Sequence, residues 1–160
     1  MTWFSRPRAW ILPTLAGLAL VPGRAAAQGW REVQVWGVAL ASQPAVFAGG
    51  LGFASRDAGR TRISAALAAG AGDDGRAAGR LEVAWHFLLD PARRKGLGIY
   101  GGAGVAVSVI ERGNLRPWVL LVLGAETSPG AKHGVFVEAG LGGGARVAAG
   151  LRFRARKRSH

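Results

Sequence analysis

The sequence contains no cysteine. This absence excludes disulfide bonds, thiolate metal sites and lipid anchors attached through a cysteine. A domain of this kind, if exported, is stabilised by its fold alone. We expect no cofactor and no metal.

Long apolar runs are also missing beyond the N-terminal region. The best candidate, Trp118 to Ala125, is far shorter than the roughly 20 residues that a membrane-spanning helix needs. The first 27 residues differ. Arg6 and Arg8 precede an apolar stretch that contains Pro13, and the small residues of an Ala-Ala-Ala triplet end at Ala27.

This N-terminal pattern predicts a secretory signal peptide, residues 1–27, cleaved before Gln28. A membrane anchor helix is the alternative, but the apolar run is short and holds a proline. Cleavage leaves 133 residues, the size of one domain. Of the net charge of +12, the signal peptide carries three basic residues and no acid, so +9 remains.

After residue 28 the chain alternates between extended stretches and short clusters of turn-forming residues. The regular spacing of the stretches is typical of a β-barrel or β-sandwich. Eight are predicted: Arg31–Ala41, Ala45–Ser55, Thr61–Ala71, Ala77–Leu89, Leu97–Val109, Pro117–Glu126, Gly134–Leu141 and Ala145–Ala155. We predict a barrel domain over residues 28–155 and a basic tail over residues 156–160.

Side-chain size indicates which face of the strands is outside. In the fourth stretch, bulky Leu81, Val83, Trp85 and Phe87 face one way, and Arg80, Glu82, Ala84 and His86 face the other. Elsewhere the face opposite the bulky one is mostly Gly, Ala and Ser, which weaken a soluble strand but suit the narrow interior of an eight-stranded barrel. The bulky face is therefore predicted to lie in lipid. The first and sixth stretches are apolar on both faces, so their facing stays open.

Over residues 31–155 the pattern resembles the small eight-stranded outer-membrane barrels, the OmpA/OmpX-like group. The sharpest piece is the final strand, RVAAGLRFRA, in which Gly150 and Phe153 look like the C-terminal signal that barrel-insertion machinery recognises. The resemblance implies an all-β, eight-stranded antiparallel up-and-down transmembrane barrel. Every loop here is short, whereas adhesion and receptor roles use long loops.

Aromatic residues are predicted to mark the membrane interfaces. If the N-terminus is periplasmic, three phenylalanines fall near the lower rim and Trp118 falls at the upper rim, as an aromatic girdle requires. The predicted girdle residues are Phe53, Phe87, Trp118 and Phe153.

Charged residues on the small-residue face are predicted to form a network inside the barrel, because buried charges must be paired. They are Arg62, Arg80, Glu82, His86, Glu126, Glu138, Arg146 and Arg152. One interpretation is a selective pore or proton path. The other, favoured because eight strands leave little lumen, is a salt-bridged plug.

Catalysis is disfavoured by the spacing of the candidate groups. Glu82 and His86 share a face with Ser108, but antiparallel strands place Ser108 near the opposite end from His86. The glycine runs GGAG and GLGGG lead into no helix, so they are not phosphate-binding loops. No catalytic residue is predicted.

Basic residues of the turns and tail are predicted to cluster at the periplasmic rim. They are Arg56, Arg60, Arg93, Arg94, Lys95, Lys132, Arg156, Lys157 and Arg158. Anionic lipid headgroups are the expected partner, and nucleic acid is not expected for an exported barrel.

Together these patterns predict a monomeric, non-catalytic protein of the bacterial outer membrane with a closed lumen and a structural or minor binding role. Outer-membrane lipids and the insertion machinery are its expected partners. One alternative is a secreted soluble barrel or sandwich that binds an apolar ligand. A second is an outer-membrane enzyme that modifies lipids.

Overall fold

The computed structural model describes residues 30–56, 60–111 and 113–156. They form eight β-strands: β1 (Trp30–Ala41), β2 (Val46–Arg56), β3 (Thr61–Gly72), β4 (Ala77–Leu88), β5 (Leu97–Ile110), β6 (Arg116–Thr127), β7 (His133–Leu141) and β8 (Ala145–Arg156). The predicted signal peptide, its cleavage site and residues 157–160 of the predicted tail lie outside the described residues. Strand β8 extends to Arg156, the first residue of that tail.

All strands pair antiparallel with their neighbours in chain order, and β1 also pairs with β8, so the sheet closes into a barrel. Each predicted stretch corresponds to one strand, and every bound agrees within one residue. The predicted all-β, eight-stranded antiparallel barrel is confirmed. The sandwich considered as an alternative is wrong, because closure through β1 and β8 leaves a single sheet.

The two ends of the barrel carry different connections. The proximal end holds the start of β1, the end of β8 and the β2–β3, β4–β5 and β6–β7 turns. The distal end holds the β1–β2, β3–β4, β5–β6 and β7–β8 turns. Gly75 in the β3–β4 turn has a φ of 79°, a left-handed conformation that glycine adopts without steric cost.

Every cross-strand pair joins two residues of the same parity, so one rule holds for all eight strands. Even-numbered residues lie inside the barrel and odd-numbered residues lie outside. Large apolar side chains therefore project outward from all eight strands. Examples are Val35, Leu51, Leu67, Val83, Val105, Leu123, Val137 and Leu151.

The facing of β1 and β6, open from sequence, follows the same rule. Trp36, Val38 and Leu40 of β1 are buried inside, and so are Leu120 and Val122 of β6. The inward residues of β1 pack with residues of neighbouring strands into an apolar core in the lumen, made of Trp36, Val38, Leu40, Val46, Ala68, Ala78, Phe136 and Ala148. Within the described residues, no helix is long and apolar enough to cross a membrane.

Candidate functional site: the charged lumen

The eight side chains of the predicted network all lie buried on the inner face, with exposures from 0% to 7%. Six further inward polar residues were missed from the sequence: Glu32, Gln34, Arg56, Ser64, Tyr100 and Arg154. Most could have been found by continuing the alternation along each strand. Arg154, for example, lies two residues after Arg152.

Arg56 corrects the prediction of a basic periplasmic turn. Strand β2 extends to this residue, and its even position turns the side chain inward, where it is 7% exposed. Its Nη1 lies 3.6 Å from Oε1 of Glu126, and its Nη2 donates to the carbonyl oxygen of Pro91 at 3.3 Å.

A proximal cluster of charges surrounds Glu126. Oε2 of this carboxylate accepts hydrogen bonds from Arg62 at 3.1 Å and from Arg154 at 2.7 Å, and it also contacts Nη1 of Arg152. Glu32, the second carboxylate of the cluster, accepts from Nε of Arg154 at 3.0 Å. Arg56 is the fourth arginine near Glu126. Four arginines thus share the two carboxylates in the proximal half of the lumen.

A distal cluster contains arginines and carboxylates in equal number. Arg146 donates to both oxygens of Glu82, at 3.0 and 2.9 Å, and to Glu138 at 2.9 Å. Arg80 donates to Oε1 of Glu82 at 2.6 Å and to Oγ of Ser108 at 2.8 Å. Arg146 therefore bridges β4 and β7 across the interior.

Tyr100 links the two clusters. Its hydroxyl donates to Oε1 of Glu138 at 2.8 Å and accepts from Nη2 of Arg152 at 2.7 Å. Arg152 also reaches Oε1 of Glu138 at 3.4 Å. The hydrogen-bonded network therefore runs without a break from Glu126 near the proximal end to Glu82 near the distal end.

Positive charge exceeds negative charge in the described lumen, where six arginines accompany four glutamates. A buried, uncompensated guanidinium is unfavourable, and aromatic faces offset part of that cost. The guanidinium carbon of Arg62 lies 4.4 Å from the centre of the Tyr100 ring, and that of Arg152 lies 4.1 Å from the centre of the Phe136 ring.

His86 contacts a serine, but the pairing is the reverse of a nucleophile and its base. Nη2 of Arg62 lies 2.6 Å from Nδ1 of His86, and Ser64 Oγ lies 3.3 Å from Nε2. Since arginine only donates, Nδ1 accepts and Nε2 carries the proton. His86 then donates to Ser64 and cannot remove its proton. Ser108, weighed from sequence, bonds to Arg80 instead.

One cavity at mid-height inside the barrel is small. A cavity of about 20 Å³, lined by residues that include Trp36, Ser64 and His86, has room for one water molecule. Among the described residues, no group of three or more metal-ligating side chains is placed to hold a metal ion.

Three of the four predicted girdle residues lie on the outer face towards the proximal end: Phe53, Phe87 and Phe153 are 65%, 53% and 41% exposed. Trp118 is placed differently. It lies at the distal rim, but its even position aligns it with inward Leu120, and its ring packs beside Gly143 in the mouth of the barrel. Because β6 is apolar on both faces, its sequence pattern does not show that Trp118 faces inward.

Exposed charges differ between the two ends. At the proximal end the described turns carry five basic residues and one acid: Arg60, Arg93, Arg94, Lys95, Lys132 and Asp90. At the distal end Asp73, Asp74 and Glu111 lie close to Arg76 and Arg116 in sequence.

No protein-family model and no curated protein sequence matches this chain. Among solved structures, it is similar to the crystal structure of the N-terminal beta-barrel domain of Pseudomonas aeruginosa OprF, with a TM-score of 0.61 and 13% sequence identity. The match covers 81% of this chain and 99% of that domain. The chain has the fold of the OprF barrel. The resemblance predicted from sequence is thus confirmed at the level of the fold.

Proposed function

We propose that this protein spans the outer membrane of a bacterium as a closed barrel and has a structural, non-catalytic role. The outer face supports this. Leu51, Leu67 and Leu123 are 56%, 63% and 63% exposed on three different strands. A continuous apolar surface of this kind is unfavourable in water but is what hydrocarbon requires. Strands of 9 to 14 residues are long enough to cross a bilayer at a tilt.

The observation that carries the closed lumen is the position of Glu138. It accepts from Arg146 of the distal cluster and from Tyr100, which in turn holds Arg152 of the proximal cluster. Side chains of β5, β7 and β8 therefore meet in the interior. The cavity at mid-height, about 20 Å³, is too small for a file of hydrated ions.

The two alternative functions have less support. A soluble barrel that binds an apolar ligand would need an apolar cavity at its centre, but the centre here is filled by charged and aromatic side chains. A lipid-modifying enzyme would need an activated nucleophile, and the Arg62–His86–Ser64 arrangement orients the proton the wrong way.

Lipids are the proposed partners at the proximal end. The excess of exposed arginine and lysine there suits anionic headgroups of the periplasmic leaflet. We also propose that the insertion machinery recognises β8 through Gly150 and Phe153, and that the barrel is a monomer after cleavage before Gln28.

Two measurements test this function. Cell fractionation should place the protein with outer membranes, with detergent needed for extraction and with Gln28 as the first residue; recovery in the aqueous extract would refute the membrane location. Planar-bilayer recording of the purified protein should show no steady conductance. A stable, ion-selective channel whose selectivity changes in Glu138→Ala would show that the lumen is a pore.

A further inference from the structure

The distal mouth of the barrel contains a cavity of about 270 Å³ that is separate from the mid-height cavity. We call this cavity the distal vestibule. Residues from all four distal turns or their flanking strands line it, among them Leu40, Val46, Arg80, Ile110, Arg116 and Trp118. It is therefore ringed by the turns at the distal end of the barrel.

Three polar side chains stand side by side in the wall of the vestibule. Strand register pairs Arg80 with Ser108 and Ser108 with Arg116, and all three positions face inward. Arg80 is 3% exposed, whereas Arg116 is exposed at the rim. Arg80 donates to the Ser108 hydroxyl at 2.8 Å, and Arg116 follows at the next position of the register and lines the same cavity, so two arginines and a serine on adjacent strands offer donors to an oxyanion.

Arg80 has donor capacity that the described residues do not use. Its Nε and Nη1 are occupied by Glu82 and Ser108, but its Nη2 has no hydrogen-bond partner among the described residues and is buried. This Nη2 lies beside Gly142, in space that a side chain would otherwise occupy, because a Cβ at position 142 would be 2.7 Å from it. A buried donor without an acceptor is unfavourable, so an acceptor that reaches it is stabilised.

The arginines in the vestibule wall are positive, and most of the remaining wall is apolar, with Ser42, Gln43, Ser108 and Asn114 as its other polar residues. Arg76, Arg80 and Arg116 line it. Asp74 pairs with Arg76 at 2.6 Å, and Glu82, below Arg80, is shared with Arg146. Leu40, Val46, Ile110 and Trp118 provide the apolar surface. A few convergent polar groups in a mostly apolar pocket are typical of small-molecule sites.

We propose that the distal vestibule binds a small carboxylate with an apolar or aromatic body, taken from the aqueous phase. The carboxylate binds between Arg80 and Arg116 beside Ser108, and the apolar body packs on Trp118 and Ile110. The cavity volume suits a molecule of roughly a dozen non-hydrogen atoms, near the lower limit for ligand pockets. Since the vestibule is ringed by the turns at the end of the barrel, the proposed ligand comes from water and not from a lipid leaflet.

The test uses the refolded protein in nanodiscs of phosphatidylcholine, with 4-phenylbutyrate as the probe and its neutral amide as the matched control. Binding is measured by calorimetry and by the NMR signal of the Trp118 indole N–H, assigned with Trp118→Phe. The acid is expected to bind about tenfold or more tightly than the amide, as a charge-assisted hydrogen bond predicts. Equal binding of acid and amide, or no binding of either at millimolar concentration, would overturn the proposal.

Variants locate the site. Arg116→Gln at the exposed rim should weaken binding of the acid several-fold with an unchanged circular dichroism spectrum, whereas Arg60→Gln at the proximal end should leave it unchanged. Arg80→Gln, if it folds, should weaken binding further. If the affinity for the acid is unchanged in Arg116→Gln, or falls equally in Arg60→Gln, the ligand does not bind at the proposed site. Adding phosphatidylglycerol to the nanodiscs without probe should not shift the Trp118 signal; a shift would assign the vestibule to a lipid headgroup instead.

Discussion

The ring of Tyr100 covers Gly124, its partner on the neighbouring strand. A Cβ at position 124 would lie 2.6 Å from Cε2 of Tyr100, so the ring occupies the space of a missing side chain. Phe136 and Gly150 repeat the relationship on β7 and β8, where the corresponding distance is 2.8 Å. Large inward aromatics are accommodated in this narrow barrel because glycine lies opposite them.

Gly124→Ala should therefore destabilise the barrel. Tyr100 cannot turn aside without breaking its bonds to Glu138 and Arg152, so the free energy of unfolding is expected to fall by about 1–3 kcal/mol, as for other overpacked interiors. Urea unfolding in detergent measures it. Gly101→Ala is the control, since the nearest atom to its Cβ would be 3.9 Å away. Equal effects of the two variants would contradict the packing argument.

Glu126→Gln replaces one carboxylate oxygen with an amide nitrogen. It should be among the most destabilising single substitutions in the lumen. The variant keeps the shape of the side chain but leaves Arg62, Arg152 and Arg154 without the carboxylate they share. A loss of about 3–5 kcal/mol in unfolding free energy is expected for a dry site. Glu111→Gln, in an exposed distal turn, should change stability little. A small effect of Glu126→Gln would mean that water reaches the proximal cluster.

Arg56→Gln should be tolerated much better than Glu126→Gln. Arg56 is one of the arginines in excess over the glutamates, and its distance to Glu126, 3.6 Å, is long for an ion pair. Its removal relieves repulsion while Glu126 keeps its other partners. The two variants are compared in the same urea series, and a larger loss in Arg56→Gln would refute the imbalance of charge as the governing factor.

Leu151→Arg tests the facing of the barrel wall. Leu151 lies near the middle of β8 on the outer face and is 49% exposed. Arginine at the bilayer midplane should reduce stability by about 2–4 kcal/mol in lipid vesicles. Ala148→Ser, on the inner face of the same strand, should be mild. If both variants refold with equal stability, the outer face does not contact hydrocarbon.

The Asp74 carboxyl in the β3–β4 turn should titrate at unusually low pH. Nε of Arg76 donates to Asp74 at 2.7 Å, its backbone N–H donates at 3.1 Å, and these bonds hold the pKa of the Asp74 carboxyl below its usual range. A lowered pKa means that the contact stabilises the turn above the ordinary Asp pKa and is lost as pH falls through the lowered value. NMR titration should show this shift, and Arg76→Gln should move the midpoint upward; an unchanged midpoint would refute the pairing.

The sequence alone predicted eight strands and their bounds, since turn-forming residues interrupt extended stretches, most of which alternate, and both signals are local. It also indicated the facing of the strands with one bulky and one small face, because residue size is coupled to available space. Glu82, Glu138 and Arg146 were found inside on that basis.

Only the tertiary structure decided the rest. In β1 and β6 both faces are apolar, so local pattern could not place Trp36 inside or turn Trp118 into the mouth of the barrel. Cross-strand register decides this. Because each pair joins two even-numbered or two odd-numbered residues, the inward face of one strand fixes the inward face of its neighbours around the whole barrel. The partners of Glu126 come from β2, β3 and β8, and their meeting depends on closure of the sheet, which no single stretch of sequence encodes.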